Sequence, residues 1–339
     1  MKKLFYMLIL VGILAAASAI FVPPYLSVSS NQDVVEVTVP KGASLNHVSN
    51  ELYEKGVIKN KAWFKYKAKD AGVDRKIKPG TYTIPSNITL ENIFALLEKG
   101  IPDEQMVLTI PEGFTLYQIA QRVSDLGFGT TEDFIDATQR YFEKEGYDFP
   151  TKDLFFSLEG YLYPETYYFT ERQSVDDIVR TLAEPIKNIF TEEYKSRAKE
   201  LDLSIHQVLT IASLIEREAV NDEERPMISG VIHNRLEKNM LLQIDASVIY
   251  YTGKGREHKS DIYKSELEKM VPFNTYRVPG LPPGPIASPS KASIDAALYP
   301  EEHDFLFYVL NETEDKHIFS KTLAEHEVHA QKYRNRNKK

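Results

Sequence analysis

The chain has 339 residues, 42% of them hydrophobic and 27% charged, and a formal net charge of −8. That length allows two or three folded domains, and the acidic balance argues against nucleic acid as a partner, because such binders carry a basic excess. The absence of cysteine excludes disulfides, thiol catalysis and Cys-type zinc sites together.

Lys2 and Lys3 precede LFYMLILVGILAAASAIFV, residues 4–22, which carries no charge. A run of that length roughly spans a ~30 Å hydrocarbon core, and the lysines favour a cytoplasmic N-terminus. Residues 1–22 are therefore expected to be an uncleaved single-pass anchor, with everything after the 23–33 linker outside the cytoplasm, in the periplasm or at the outer face. A cleaved signal peptide is the rival, because AAASA offers small residues to a peptidase.

Two similar segments follow, VTVPKGASLNHVSNELYEKG at 37–56 and LTIPEGFTLYQIAQRVSDLG at 108–127. At a constant offset of 71, Val37 meets Leu108, Pro40 meets Pro111, Gly42 meets Gly113, Ser44 meets Thr115 and Gly56 meets Gly127; Trp63 and Phe134 continue the register. Each copy reads as a short strand, a Gly turn, a hydroxyl cap and a helix with apolar residues at i, i+3, i+4 and i+7. Tyr82, Ile84, Thr89 and Ile93 recur as Tyr167, Phe169, Ser174 and Ile178. Residues 34–100 and 101–186 thus read as two copies of a β-α-β-α module. The strand, Gly turn and capped helix resemble LysM-type glycan-binding modules, and a spacer without ligand is the plainer alternative. Residues 187–335 form a third, mixed α/β region, so the expected class is α+β. The last residues, KYRNRNKK, read as a solvated basic tail.

In TIASLIEREAVNDEERP, residues 210–226, an apolar helix carries two acids. At 100° per residue Glu218 lies within about 60° of Ile211, Leu214 and Ile215, and Glu216 lies about 160° away from Glu218. The two cannot converge on one substrate as a glycosidase pair does. An acid on an apolar face has its ionised form disfavoured, which suits a general acid near neutral pH. A salt bridge to Arg217, Arg225 or Arg235 would explain either glutamate equally well. HEVH at 326–329 lacks the spacing of a helical zinc site, and SPSK at 288–291 lacks a partner motif, so neither a metal nor a cofactor is expected.

LEGYLYPETYYF at 158–169, ASLIEREA at 212–219, HNRL at 233–236, LQIDASVIYYTG at 242–253, FNTYRVPGLPPGPIASP at 273–289 and HIFSKTLAEH at 317–326 occur in one order. Together they resemble the YceG-like endolytic transglycosylase family, also called MltG, over nearly the whole chain. The resemblance implies a single-pass membrane enzyme that cuts peptidoglycan glycan strands between N-acetylmuramic acid and N-acetylglucosamine and leaves 1,6-anhydro ends. It implies Glu218 as the catalytic acid, with Glu216 in reserve, and Ala219 stands where Ser or Thr often follows. Gln243, Asp245, Asn274, Thr275 and Tyr276 are then expected to shape the groove, with His317 and His326 as groove or network residues. Cell-wall synthases are the expected protein partners. A glycan-binding scaffold and a stem-peptide amidase are the alternatives from other classes.

Overall fold

The structure, a computed structural model, describes residues 34–85, 88–100, 105–256, 262–311 and 316–336. The expected anchor at 1–22 and linker at 23–33 lie outside the described residues. Among the described residues no helix is long and apolar enough to cross a membrane. The fold is α+β, with many helices and, among the described residues, three two-stranded antiparallel sheets, and it divides into two compact units at residues 103 and 104.

The first unit contains β1 (Val34–Val39), α1 (Leu45–Glu54), α2 (Lys61–Asp70), β2 (Gly80–Pro85) and α3 (Leu90–Lys99). β1 alternates strictly, burying Val35, Val37 and Val39, and pairs with β2 so that Val37 faces Tyr82. Ser44, Asn60 and Thr89 cap the three helices by accepting from the backbone N–H three residues on. Val48, Leu52, Phe64, Tyr82, Ile93 and Leu97 close a core of the unit's own.

The second unit opens with the same order: β3 (Met106–Thr109), α4 (Leu116–Asp125), α5 (Thr131–Glu145), β4 (Thr166–Phe169) and α6 (Val175–Ile189). Each copy is therefore β-α-α-β-α, with one more helix than the sequence pattern suggested. The second helix hides in the first copy because KAWFKYKAKD buries only Phe64 and Ala68 and shows little apolar periodicity. Its N-cap, Asn60, corresponds to Thr130, an offset of 70, so Phe64 rather than Trp63 is the counterpart of Phe134. GVIKN in one copy has become GFGT in the other, and the missing residue shifts the register.

α7 (Glu192–Glu200), α8 (Ile205–Glu218), α9 (Arg225–Glu237), α10 (Asp245–Thr252), the short α11 (Lys264–Leu267) and α12 (Lys291–Leu298) follow. The β5 (Phe307–Asn311) and β6 (Lys316–Ser320) hairpin and α13 (Leu323–Arg336) complete the unit, so the start of the expected basic tail is helical. α8 is the axis: of the ten positions from His206 to Ile215 all but Gln207 are buried, and α12 packs along it. One continuous apolar core runs from Leu108 and Phe134 through Leu182 to Ile211, Leu214 and Ile294.

Candidate active site

The two acids of α8 meet opposite fates. Glu216 is buried and fully engaged. Its Oε2 accepts from Ser290 N (2.8 Å), Ser290 Oγ (2.6 Å) and Ser293 Oγ (2.8 Å), and it pairs with Arg225 at 3.1 Å. Ser290 is the N-cap of α12, so Glu216 fixes the start of that helix against α8. The salt-bridge reading thus holds for Glu216, with Arg225 as the partner.

Glu218, the last residue of α8, is half-buried and forms no ion pair among the described residues. Its Oε2 accepts from Tyr308 Oη at 3.0 Å. Burial pushes its carboxyl up to about 7; the nearby charge of Asp245 adds to that, while Tyr308, Arg217 and the N–H of Ala246 pull it back. The hydroxyl that Ala219 does not supply comes instead from Tyr308, ninety residues away on β5.

Glu218 lies in a cleft of about 510 Å³, shared with Arg235, Gln243, Asp245, Tyr276, His317 and His326. Tyr276 Oη donates to Asp245 Oδ1 at 2.5 Å, and burial together with that bond holds the phenol above its usual range. His317 donates its backbone N–H and its Nδ1–H to the buried carboxylate of Glu224, the ring bond being 2.9 Å. That arrangement leaves Nε2 on the other side of the ring. His326 stacks on Phe307 at 5.3 Å.

Asn274 and Thr275 lie behind the cleft rather than in it, both buried. Asn274 Nδ2 donates to the carbonyls of Glu266, Leu267 and Lys269 at 3.3, 3.1 and 2.7 Å, which ties down the preceding loop. Thr275 Oγ1 accepts from Ile244 N at 2.9 Å and meets Ser247 Oγ at 3.0 Å, so it sets the entry into α10. The proline-rich loop after them is held by His206, whose Nε2–H donates to Pro283 O at 2.9 Å while Nδ1 accepts from Tyr161 Oη at 3.0 Å.

Four residues of this constellation were not singled out as site residues in the sequence: Tyr308, Arg235, Glu224 and Glu159. In the sequence Arg235 is only a possible salt-bridge partner. It is buried, and its guanidinium instead reaches the carbonyls of Leu306, Leu241 and Leu242 at 2.6, 3.1 and 2.7 Å. Glu159 is a third buried acid. It accepts from Leu116 N at the start of α4 (2.8 Å) and from Tyr250 Oη on α10 (3.0 Å), and burial pushes its carboxyl up to about 8. It links the second copy to the helix whose first turn meets Glu218. Glu159 lies within LEGYLYPETYYF and Arg235 within HNRL, and that placement is their signal in the sequence. A broader groove of about 800 Å³ runs past Tyr163, Tyr194 and Lys291.

The YceG-like family model matches residues 37–332. The chain belongs to the YceG-like family. It is 34% identical over 318 residues to the endolytic murein transglycosylase of Bacillus subtilis, covering 89% of this chain and 86% of that one. It is 31% identical over 323 residues to the endolytic murein transglycosylase of Streptococcus pneumoniae, covering 88% of this chain and 58% of that one. A crystal structure of a YceG-like protein from Listeria monocytogenes superposes with a TM-score of 0.59 at 33% identity, over 87% of this chain and 98% of that one. The family match spans both copies as well as the cleft.

Proposed function

We propose that this YceG-like chain is an endolytic murein lytic transglycosylase, with peptidoglycan glycan strands as substrate and Glu218 as the acid and base. The observation that carries the assignment to Glu218 is its environment: a half-buried carboxyl, without an ion pair among the described residues, with its proton held to near neutral pH and its orientation set by Tyr308. Glu216 has no such freedom, because its Oε2 takes three hydrogen bonds and Arg225 is paired with it.

The protonated Glu218 gives its proton to the oxygen bridging N-acetylmuramic acid and N-acetylglucosamine as the C1–O bond breaks. Asp245 contributes twice: its charge adds to the burial that keeps Glu218 protonated, and it favours the positive charge that develops at C1. The muramyl C6 hydroxyl then closes on C1, and its proton goes to the Glu218 carboxylate. Atoms balance without water, and the intramolecular nucleophile has a high effective molarity. His317, fixed through Nδ1 by Glu224, lines the same cleft as a groove residue.

The two β-α-α-β-α copies act as LysM-like glycan-holding modules, a role supported by their strand, Gly turn and capped-helix order. Residues 1–22 anchor the chain in the cell membrane with the bulk of it extracytoplasmic, supported by their length without charge. Cell-wall synthases are the natural neighbours of such an enzyme.

Mass analysis of digested murein tests the reading. Wild-type protein yields 1,6-anhydro-muramyl ends, and Glu218→Gln loses cleavage by a factor of roughly 10² to 10⁴ while keeping its fold. Reducing ends, freed stem peptides or intact strands would identify a hydrolase, an amidase or a scaffold instead.

A further inference from the structure

Among the described residues four other than glycine have a left-handed backbone: Asp202 (φ 56°), Asn239 (φ 53°), Gln243 (φ 53°) and Lys254 (φ 53°). Three have a helix to end. Asp202, Asn239 and Lys254 each stand just past α7, α9 and α10, and each returns its N–H to the helix, at Lys199 O (3.1 Å), Leu236 O (3.1 Å) and Tyr251 O (3.0 Å). Gln243 ends no helix. It stands two residues before α10, where a Cβ-bearing residue gains nothing from this conformation and pays its steric cost.

The surroundings force the conformation. Gln243 N–H donates to Thr275 O at 3.1 Å, the next residue is gripped by Thr275 Oγ1, and Arg235 Nη1 holds the two preceding carbonyls. The result is that Leu242 and Ile244 both turn inward to the core while Gln243 is exposed in the cleft that holds Glu218. Its Oε1 lies 3.4 Å from Arg235 Nη1, which directs the carbonyl end of the amide toward Arg235 and leaves the NH2 donors for the cleft. With Oε1 turned to Arg235, the end of the amide presented to the cleft is a neutral donor, and an uncharged acceptor such as a carbonyl fits it.

We infer that Gln243 is a specificity residue that donates from Nε2 to an amide carbonyl of the glycan strand, and that its left-handed backbone is retained for this contact. The inference rests on the transglycosylase reading. A murein strand offers that chemistry from two sources, the acetamido groups of its sugars and the lactyl amide that joins each stem peptide.

The test uses full-chain wild-type protein and Gln243→Gly on three strands: intact, de-N-acetylated, and stripped of stems so that the lactyl amide becomes a carboxylate. Wild-type kcat/KM is expected to fall about tenfold on one of the two altered strands, which names the source. Gln243→Gly is expected to lose about tenfold on the intact strand, through KM, and to show no further loss on that same altered strand. Its Tm is expected to be unchanged or higher by roughly 2–4 °C, because glycine accepts the left-handed conformation freely. A lower Tm assigns Gln243 a structural role and overturns the inference. Equal discrimination by both proteins, or none by the wild type, overturns it as well. Failure of the wild type to cleave the intact strand would instead overturn the transglycosylase reading itself.

Discussion

Thr38 and Thr81 meet across β1 and β2 with their hydroxyls 3.1 Å apart, and Thr109 and Thr166 do the same across β3 and β4, also at 3.1 Å. Tyr82 donates its hydroxyl to Lys78 O, four residues back, and Tyr167 donates to Tyr163 O. The two copies thus repeat in detail, yet their outer surfaces differ. The first copy closes its core within itself. The second opens its core to α8 and α12, and its connections lengthen: nine residues separate α2 from β2 (71–79), whereas twenty separate α5 from β4 (146–165). The added length carries Glu159, which ties α4 to α10. One module is a self-contained unit, and the other shares its core with the helix that ends in Glu218. The difference lies in the loops and the turn, not in the strands and helices that the sequence repeats.

Deletion is the bluntest way to break that comparison. Removing residues 34–100 is expected to leave cleavage of short soluble glycans near wild type and to reduce cleavage of intact sacculi, because only long strands use a second tethered contact. Removing 101–186 is expected to abolish both, since it strips α8 of the core it packs against. Turnover on the two substrates side by side checks this, and total loss on short glycans from the first deletion would make that copy structural rather than glycan-holding.

A matched pair of cavities sharpens it. Phe64 and Phe134 occupy equivalent sites and are both almost wholly buried. Each Phe→Ala substitution is expected to cost about 3–5 kcal/mol in the unit that holds it. Denaturant melts followed by activity on short glycans distinguish them: Phe134→Ala should lower activity as well as stability, and Phe64→Ala stability alone. Parallel activity losses would mean that the two cores are not independent.

The repeat, the caps and the apolar faces were legible because each is a local signal: a hydroxyl before a helix, a glycine after it, a period of 3.6. The second helix of each copy was not, because in the first copy it has only Phe64 and Ala68 to show. In the site, the separation of Glu216 from Glu218 followed from helical geometry, but which of them is spent on structure depended on Ser290 and Arg225, which only the fold brings to Glu216. Asn274 and Thr275 read as groove residues because polar side chains in a motif suggest a ligand. Their burial against backbone carbonyls and hydroxyls shows that a motif can be polar for the sake of its own loop. Tyr308 was illegible for the opposite reason: in FLFYVL it is one aromatic of a strand, and only the hairpin aims it at Glu218.

The acids of the second unit give a pH signature that the first unit should lack. The folded-state carboxyls of Glu218 and Glu159 stand at about 7 and about 8, above the ordinary value of 4.5. The native state therefore binds more protons than the unfolded chain between about pH 4.5 and these values. That stability is fully present below pH 4.5 and is lost as pH rises through 7 and 8. Glu218→Gln removes one of the two losses. Its Tm relative to wild type is expected to be higher at pH 9 than at pH 4, and the transition to follow should be that of the second unit. A Tm difference that does not change with pH would show that Glu218 is not held protonated.

The smallest expected effect is the most selective. Gly42 and Gly113 hold the same turn, at φ 76° and 74°, where any other residue is strained. An added Cβ meets nothing within 4 Å at Gly42, and at Gly113 only ordinary contacts of 3.7–3.8 Å with Arg217 and Glu216. Gly42→Ala and Gly113→Ala should therefore cost the same, about 1–2 kcal/mol, from the backbone alone. Their connections are not the same. Gly113 N–H donates to Ser288 O at 2.9 Å, Ser288 N–H donates to Phe114 O at 2.8 Å, and Gly113 O accepts from Arg217 Nη1 at 3.4 Å. Two residues beyond Ser288 is Ser290, which binds Glu216 and sets α12 against α8. A strained Gly113 turn is thus expected to shift the support under Glu218 and lower kcat on short glycans about 3- to 10-fold, while Gly42→Ala leaves kcat unchanged. Equal stability losses with unequal activity losses would show that the second copy's turn serves the site and the first copy's does not. If both variants keep full activity, the link from turn to acid is slack, and Glu218 depends for its position on α8 and Tyr308 alone.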